Sequence, residues 1–247
     1  DMTLIKDVVE IPIYATKDLT WEDFLGDKIE ETRAQFPSLR YETAEMIIKI
    51  SDYNKIASLY GIEQYELKDN EYIVLCDFDS QKELRDEALK DGNNVLNIVG
   101  KQYKSKYNEC KSGFIMMNTS HVNTGIILVP DSCNLTDDMK VQQLLVANYN
   151  AQTDEKRQEI EKIFTSNDSI LVQNLTNKGI DVDGVTKISL MEASIGIATI
   201  VTFIAIYLGI IFLIASAAIL ALKQLTESSD NKQRYTILRE IGCDEKM

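Results

Sequence analysis

Residues with the types that chemistry needs are few in this chain of 247 residues, and they are badly placed to cooperate. His121 is the only histidine. A Ser-His-Asp or Cys-His site would have to use it, and no cluster of histidines is available for a metal. Its setting, Asn118-Thr119-Ser120-His121-Val122-Asn123, reads as a polar loop between strands with a solvent-exposed imidazole. The four cysteines, Cys76, Cys110, Cys133 and Cys243, are widely spaced and form no C-x-x-C. That spacing suits neither a zinc site nor a disulfide framework, which leaves one disulfide pair or buried thiols as the open readings. Asp181-Val182-Asp183-Gly184 has the start of a calcium loop but lacks both the third ligand before the glycine and the glutamate at the twelfth position. Neither G-x-x-x-x-G-K-[ST] nor G-x-G-x-x-G occurs, so no phosphate-cradling loop of those kinds is present. The reading is a non-enzyme without cofactor or metal.

A different chemistry, that of docking, is written at the C-terminal end. In Arg234-Tyr235-Thr236-Ile237-Leu238-Arg239-Glu240-Ile241-Gly242, residues Tyr235, Leu238 and Ile241 fall at i, i+3 and i+6 on one helical face. Ser229 or Asp230 can cap the start of a short amphipathic helix there, and Gly242 can stop it. Such a helix lies on a membrane surface or fits a groove in a partner protein.

The element that must position this segment is the run from Ala193 to Leu222, thirty residues without a charge or a proline. As a helix it reaches about 45 Å, more than the roughly 30 Å of bilayer hydrocarbon. Sixteen of the thirty are Ile, Leu, Val or Phe, and a buried helix of a soluble core fails on length and on all-round hydrophobicity, because it would need protein on every side. Ala205 and Gly209, four apart, offer a close-packing point for a neighbouring helix. Residues 191–223 are therefore read as one transmembrane helix. Five basic residues follow it (Lys223, Lys232, Arg234, Arg239, Lys246), against two in the twenty before it (Lys178, Lys187). The positive-inside rule then puts residues 224–247 in the cytoplasm and the large N-terminal region outside. Export of that region requires an upstream signal or membrane segment, so the chain reads as a fragment of a longer polytopic protein.

Residues 1–190 are read as an acidic extracellular α+β domain, in one or two subdomains. The first 192 residues hold 34 Asp and Glu against 21 Lys and Arg, whereas the tail balances five against five. Such a surface repels nucleic acid and attracts cationic ligands, or it serves solubility alone. Strands are expected at Val8–Tyr14 (at an edge, because of Pro12), Met46–Ile50, Glu71–Phe78, Val95–Val99, Phe114–Met117, Gly125–Val129 and Leu144–Tyr149. Helices are expected from a Thr20/Asp23 capping box through Phe36, from a Ser51 cap to Tyr60 with Gly61 as its stop, from Gln81 to Lys90, and from Asp154 to Phe164. Strands and helices alternate irregularly, which favours α+β over a doubly wound sheet. Four N-x-S/T sequons (Asn118, Asn134, Asn167, Asn174) matter only in a eukaryotic secretory setting.

The stretch Arg234 to Cys243, with its Ile237-Leu238-Arg239-x-Ile241-Gly242 core, resembles the cytoplasmic loop of FtsX-like ABC transporter permeases. Ala221-Leu222-Lys223-Gln224-Leu225-Thr226-Glu227-Ser228-Ser229-Asp230-Asn231, with Ser51-Asp52-Tyr53-Asn54 and Asn70-Glu71-Tyr72-Ile73, is similar to the bacitracin-export (Bce-type) branch of Gram-positive bacteria. Cys243 stands where that family usually has Ala. The resemblance implies a permease subunit in the plasma membrane, whose coupling helix (Arg234, Tyr235, Ile237, Leu238, Arg239, Ile241, Gly242) contacts a separate ATP-binding cassette ATPase. It also implies the remaining transmembrane helices of the same permease, a sensor kinase in some systems, and an outer domain that detects peptide antibiotics or their cell-wall lipid target. Other members of the family release lipoproteins or regulate wall hydrolases. The competing expectation is a single-pass, membrane-anchored extracellular binding protein.

Overall fold

The computed structural model describes residues 4–90, 94–117, 123–165, 173, 177 and 184–242. The chain divides into two compact units, Asp1–Leu190 and Met191–Met247. The first is built on a mixed seven-stranded sheet: β1 (Ile5–Tyr14), β2 (Ile47–Lys49), β3 (Glu71–Leu75), β4 (Val95–Ile98), β5 (Lys101–Ser105), β6 (Ile126–Val129) and β7 (Lys140–Tyr149). Their order across the sheet is β4-β5-β3-β6-β2-β1-β7. β2 runs parallel to β6, and β3 parallel to β5; the other neighbours are antiparallel.

Among the described residues the helices of this unit are α1 (Trp21–Leu25), α2 (Ile29–Gln35), α3 (Ile50–Tyr60), α4 (Asp79–Lys90) and α5 (Asp154–Thr165). Side-chain alternation along the short central strands fills two cores, one on each face of the sheet. Ile47, Tyr72, Val74, Ile127 and Val129 point to the side closed by Trp21, Phe24 and Leu25 of α1 and Ala88 and Leu89 of α4. Ile48, Ile73, Leu75, Ile126 and Leu128 point to the side closed by Ile50, Tyr53, Ile56 and Ala57 of α3. Burial on both faces explains why β6 reads Ile-Ile-Leu-Val, without a polar residue. A mixed α+β domain is thus observed.

Several local expectations hold. The capping box forms: Thr20 Oγ1 accepts from the Asp23 N–H at 3.3 Å, and the Thr20 N–H donates to Asp23 Oδ2 at 2.8 Å. Gly61 ends α3 in the left-handed region at φ +69°. Others need correction. The helix expected to run on to Phe36 breaks at Gly26 (φ +52°) into α1, a 3-10 turn over Gly26–Lys28, and α2. Ser51 does not cap α3; the helix begins at Ile50, and the Ser51 N–H donates to Asp131 Oδ1 at 3.3 Å, a capping acceptor from a distant loop. Phe114–Met117 is not a strand. Its apolar residues are spent on packing instead: the Phe114 ring stacks on Tyr60, and Ile115 is buried in the second core. The edge of the sheet is β7 rather than β1, although β1 pairs with β2 only at Tyr14↔Ile47. β5 was not expected, because Lys-Gln-Tyr-Lys-Ser has no apolar run; only Tyr103 and Ser105 point inward. It is fixed by a two-residue hairpin in which Val99 (φ +51°) and Gly100 (φ +74°) both take positive φ, as a type I′ turn requires.

The second unit contains most of one helix, α6 (Lys187–Glu240), 54 residues and about 81 Å long. Thr186 caps it: its Oγ1 accepts from the Ser189 N–H at 3.1 Å, and its own N–H donates to Ser189 Oγ at 3.2 Å.

Candidate functional site

The expected short cytoplasmic helix is not seen as a separate element. α6 passes without a break through Ser229 and Asp230, the residues offered as its cap. The physical reason is the cost of starting again: ending one helix at Leu222 and opening another at Asp230 would orphan four carbonyls and four N–H groups, and one capping side chain repays only part of that. Nothing from Lys223 to Glu240 forces a break, since that stretch holds neither glycine nor proline. Lys223 and Glu227 pair at 3.9 Å one turn apart, and the Thr226 hydroxyl donates back to the Leu222 carbonyl at 3.0 Å. The stop is where it was expected. Gly242 takes φ +91°, directly after the helical turn closed by the Ile241 N–H donating to the Ile237 carbonyl.

Arg234, Tyr235, Ile237, Leu238 and Arg239 therefore lie in the last two turns of α6, with Ile241 and Gly242 just past its end. At about 100° per residue Tyr235, Leu238 and Ile241 span one side, and Ile237 extends it. All four are exposed. Leu222 to Glu240 amounts to about 27 Å of helix beyond the uncharged run. Within that run no residue is buried. Two of its hydroxyls are satisfied internally, Thr199 donating to the Ile195 carbonyl at 2.8 Å and Thr202 to that of Ala198 at 2.7 Å, so these two bring no unpaired polar group into an apolar medium. Ala205 and Gly209 lie a turn apart, and a Cβ added at Gly209 would meet nothing within 4 Å.

The domain contributes one polar constellation that the acidic background concealed. Glu45, from the loop before β2, and Arg85, in the middle of α4, form a buried ion pair in which Arg85 Nη2 donates to Glu45 Oε2 at 3.0 Å and Nη1 lies 2.9 Å from Oε1, while Arg85 Nη1 and Nε and Glu45 Oε1 have no hydrogen-bond partner. Both side chains are 4% exposed. The guanidinium lies over the Phe24 ring (4.9 Å) and near that of Trp21 (5.7 Å). Burial works against its charge, but the Glu45 carboxylate outweighs that and leaves its pKa raised. Gly125, at φ +147°, is required here: the Arg85 Cζ lies 2.6 Å from where a Cβ would sit. The arrangement clamps α4 to the sheet and leaves no open acid or base. Next to it, Asp86 is held below the usual carboxylate range. Burial pushes its pKa up, but Lys82 at 2.5 Å and the Cys110 N–H at 2.6 Å outweigh that.

Cys76, Cys110 and Cys133 are free and buried. Burial pushes the Cys76 and Cys110 thiols up, which keeps them protonated and removes them as nucleophiles. No group of three or more metal-ligating side chains occurs among the described residues. His121, Asp181, Val182, Asp183 and Cys243, with the sequons at Asn118, Asn167 and Asn174, lie outside the described residues.

No family model matches this chain, and no curated protein matches it. What the fold defines is a class: a globular α+β domain followed by one apolar helix long enough to cross a membrane.

Proposed function

We propose that the chain is a membrane-anchored binding protein whose acidic N-terminal domain lies outside the cell and whose helix α6 crosses the plasma membrane once. The observation that carries this reading is α6 itself. Its thirty uncharged residues have no protein cover, and water on every side of so much apolar surface would be prohibitively unfavourable. The excess of basic residues after that stretch supports a cytoplasmic C-terminal end. The domain's negative charge favours a cationic ligand such as a peptide. Residues 1–190 form a compact unit. They are expected to bind a cationic antimicrobial peptide at low ionic strength, several-fold more weakly at physiological salt. No binding at low salt would leave the charge as a solubility device.

A second, finer reading is favoured by the continuity of α6. The residues that resemble the FtsX-like coupling segment are carried about 18 to 27 Å past the apolar run on the same rigid helix, where they can meet a cytoplasmic partner. In this reading the chain is part of the permease subunit of an ABC transporter. An ATP-binding cassette ATPase would dock against Tyr235, Leu238 and Ile241, with Arg234, Ile237 and Arg239 beside them and Gly242 ending the element. Further membrane helices of the same permease would pack near Ala205 and Gly209, and a sensor kinase would join in some systems. Peptide-antibiotic detection, lipoprotein release and regulation of wall hydrolases are the activities such a subunit would serve. Leu238→Asp with Ile241→Asp is expected to abolish co-purification with the ATPase. Unchanged co-purification would leave the anchored binding protein as the surviving reading.

A further inference from the structure

Strand β7 pairs with β1 along one side only, and among the described residues its other side has no strand against it. An edge of this length presents a row of unpaired N–H and C=O groups, which natural sheets ordinarily guard with lysine, proline, inward charges or bulges. β7 is weakly guarded. From Gln142 to Asn148 it reads Gln-Gln-Leu-Leu-Val-Ala-Asn, seven residues without a charge, a proline or a glycine. The pairing with β1 skips Val141, which is the one extra residue on β7 and marks one end of the regular stretch. Val141 and Leu145 are the most exposed apolar side chains of the domain's sheet, at 63% and 57%.

We propose that this edge pairs with β7 of a second copy of the chain, antiparallel and centred on Leu145. Three observations select that occupant. The first is self-complementarity. In the Leu145-centred register Leu145 meets Leu145 of the second copy, Leu144 meets Val146, Gln143 meets Ala147 and Gln142 meets Asn148. Leucine faces leucine on the side where it is now exposed. Leu144 and Val146, which already pack on the second core, extend that core across the junction. The polar ends match as well. Asn148 Nδ2 donates to Asp7 at 3.1 Å, which leaves its carbonyl oxygen free to accept from the Gln142 amide of the second copy. A register shift of two residues, centring on Leu144, would set Gln142 against Val146 and Gln143 against Leu145, so the strand's sequence prefers one register.

The second observation is charge. The chain carries a formal charge of −13, and most faces of two copies would repel each other. Here the carboxylates that touch β7 are all engaged: Glu10 and Asp7 of β1 by Gln143 and Asn148, and Glu161 of α5 by the Tyr149 hydroxyl at 2.7 Å. In the paired sheet, β1 of one copy is three strand spacings, about 14 Å, from β1 of the other, beyond a Debye length of about 8 Å at physiological salt. The third is the geometry of closure: antiparallel pairing of identical edges is isologous, so two copies satisfy each other and no free β7 edge remains to propagate.

The test uses the full chain, in membranes and in detergent, with Cys243→Ser to remove the one cysteine not described as buried. Leu145→Cys is expected to give an oxidised dimer on mild treatment. Gln143→Cys lies on the same strand face but stands opposite Ala147, so it is expected to give several-fold less. Mixing Gln143→Cys with Ala147→Cys chains should restore the cross-link. Leu145→Lys, which puts two ammonium groups face to face at a solvent-exposed position, should reduce the dimer fraction while leaving the thermal unfolding of the domain unchanged. Equal cross-linking of Leu145→Cys and Gln143→Cys, a Leu145→Cys adduct of any mass other than two chains, or a dimer fraction insensitive to Leu145→Lys would each overturn the proposal.

Discussion

Two carboxylates in the first unit do opposite things, and neither is marked among the 39 acidic residues of the chain. Glu45 is buried against Arg85, where each group is tolerable only because the other is there. Glu45→Gln removes the countercharge and leaves the guanidinium enclosed by Phe24, Trp21 and Gly125. A loss of about 3–5 kcal/mol is expected in denaturant unfolding of residues 1–190. Asp86 is partly exposed, and its lowered pKa makes stability depend on pH. Its contribution is complete above the unfolded carboxyl value of about 3.9 and is lost as pH falls through the lower folded value. Asp86→Asn should therefore lower stability at pH 7 and flatten its decline in the acid range. An unchanged acid limb in a pH series of thermal melts would count against that role. At this scale the sequence was least informative. The Glu45–Arg85 pair spans forty residues, and nothing local distinguishes either member from a solvated charge. Gly125 was read only as a strand residue, because its reason for being glycine is a side chain from α4.

Elements were more legible where one physical cause dominates. Short runs rich in Ile, Val and Leu marked β2, β3, β4 and β6, and the Thr20/Asp23 spacing marked the start of α1. Where tertiary contacts decide, the pattern misled. Phe114–Met117 has strand composition but serves as packing, and β5 lacks strand composition but is held by its hairpin turn and by β3. The largest difference lies in α6. Capping residues and apolar periodicity suggested a new helix after the apolar run, yet such signals act only where a helix has already stopped, and nothing stops this one before Gly242. Spin labels at Gln224→Cys and Thr236→Cys should give a narrow distance distribution consistent with about 18 Å of helical rise between the two backbones. A broad distribution, or one much shorter, would restore the two-helix reading. Ser229→Pro removes an internal hydrogen bond and clashes with the preceding turn, a cost of about 3 kcal/mol in a helix interior. It should broaden that distribution without disturbing the α+β domain.

On the scale of the whole molecule two units differ in kind: a domain with two packed cores, and a helix apolar and long enough to cross a bilayer. The thirty uncharged residues were legible at once, because no competing element of a soluble protein has that length without charge. The side on which each end lies is an expectation that rests on the distribution of Lys and Arg alone. The most direct measurement is labelling of single cysteines, in intact cells of a Cys243→Ser background, by a thiol reagent that does not cross membranes. Glu83→Cys, on α4 of the domain, should react in intact cells. Glu227→Cys, on α6 beyond the apolar run, should react only after the membrane is opened. Labelling of both positions in intact cells, or of Glu227→Cys alone, would contradict a helix that crosses once with the acidic domain outside.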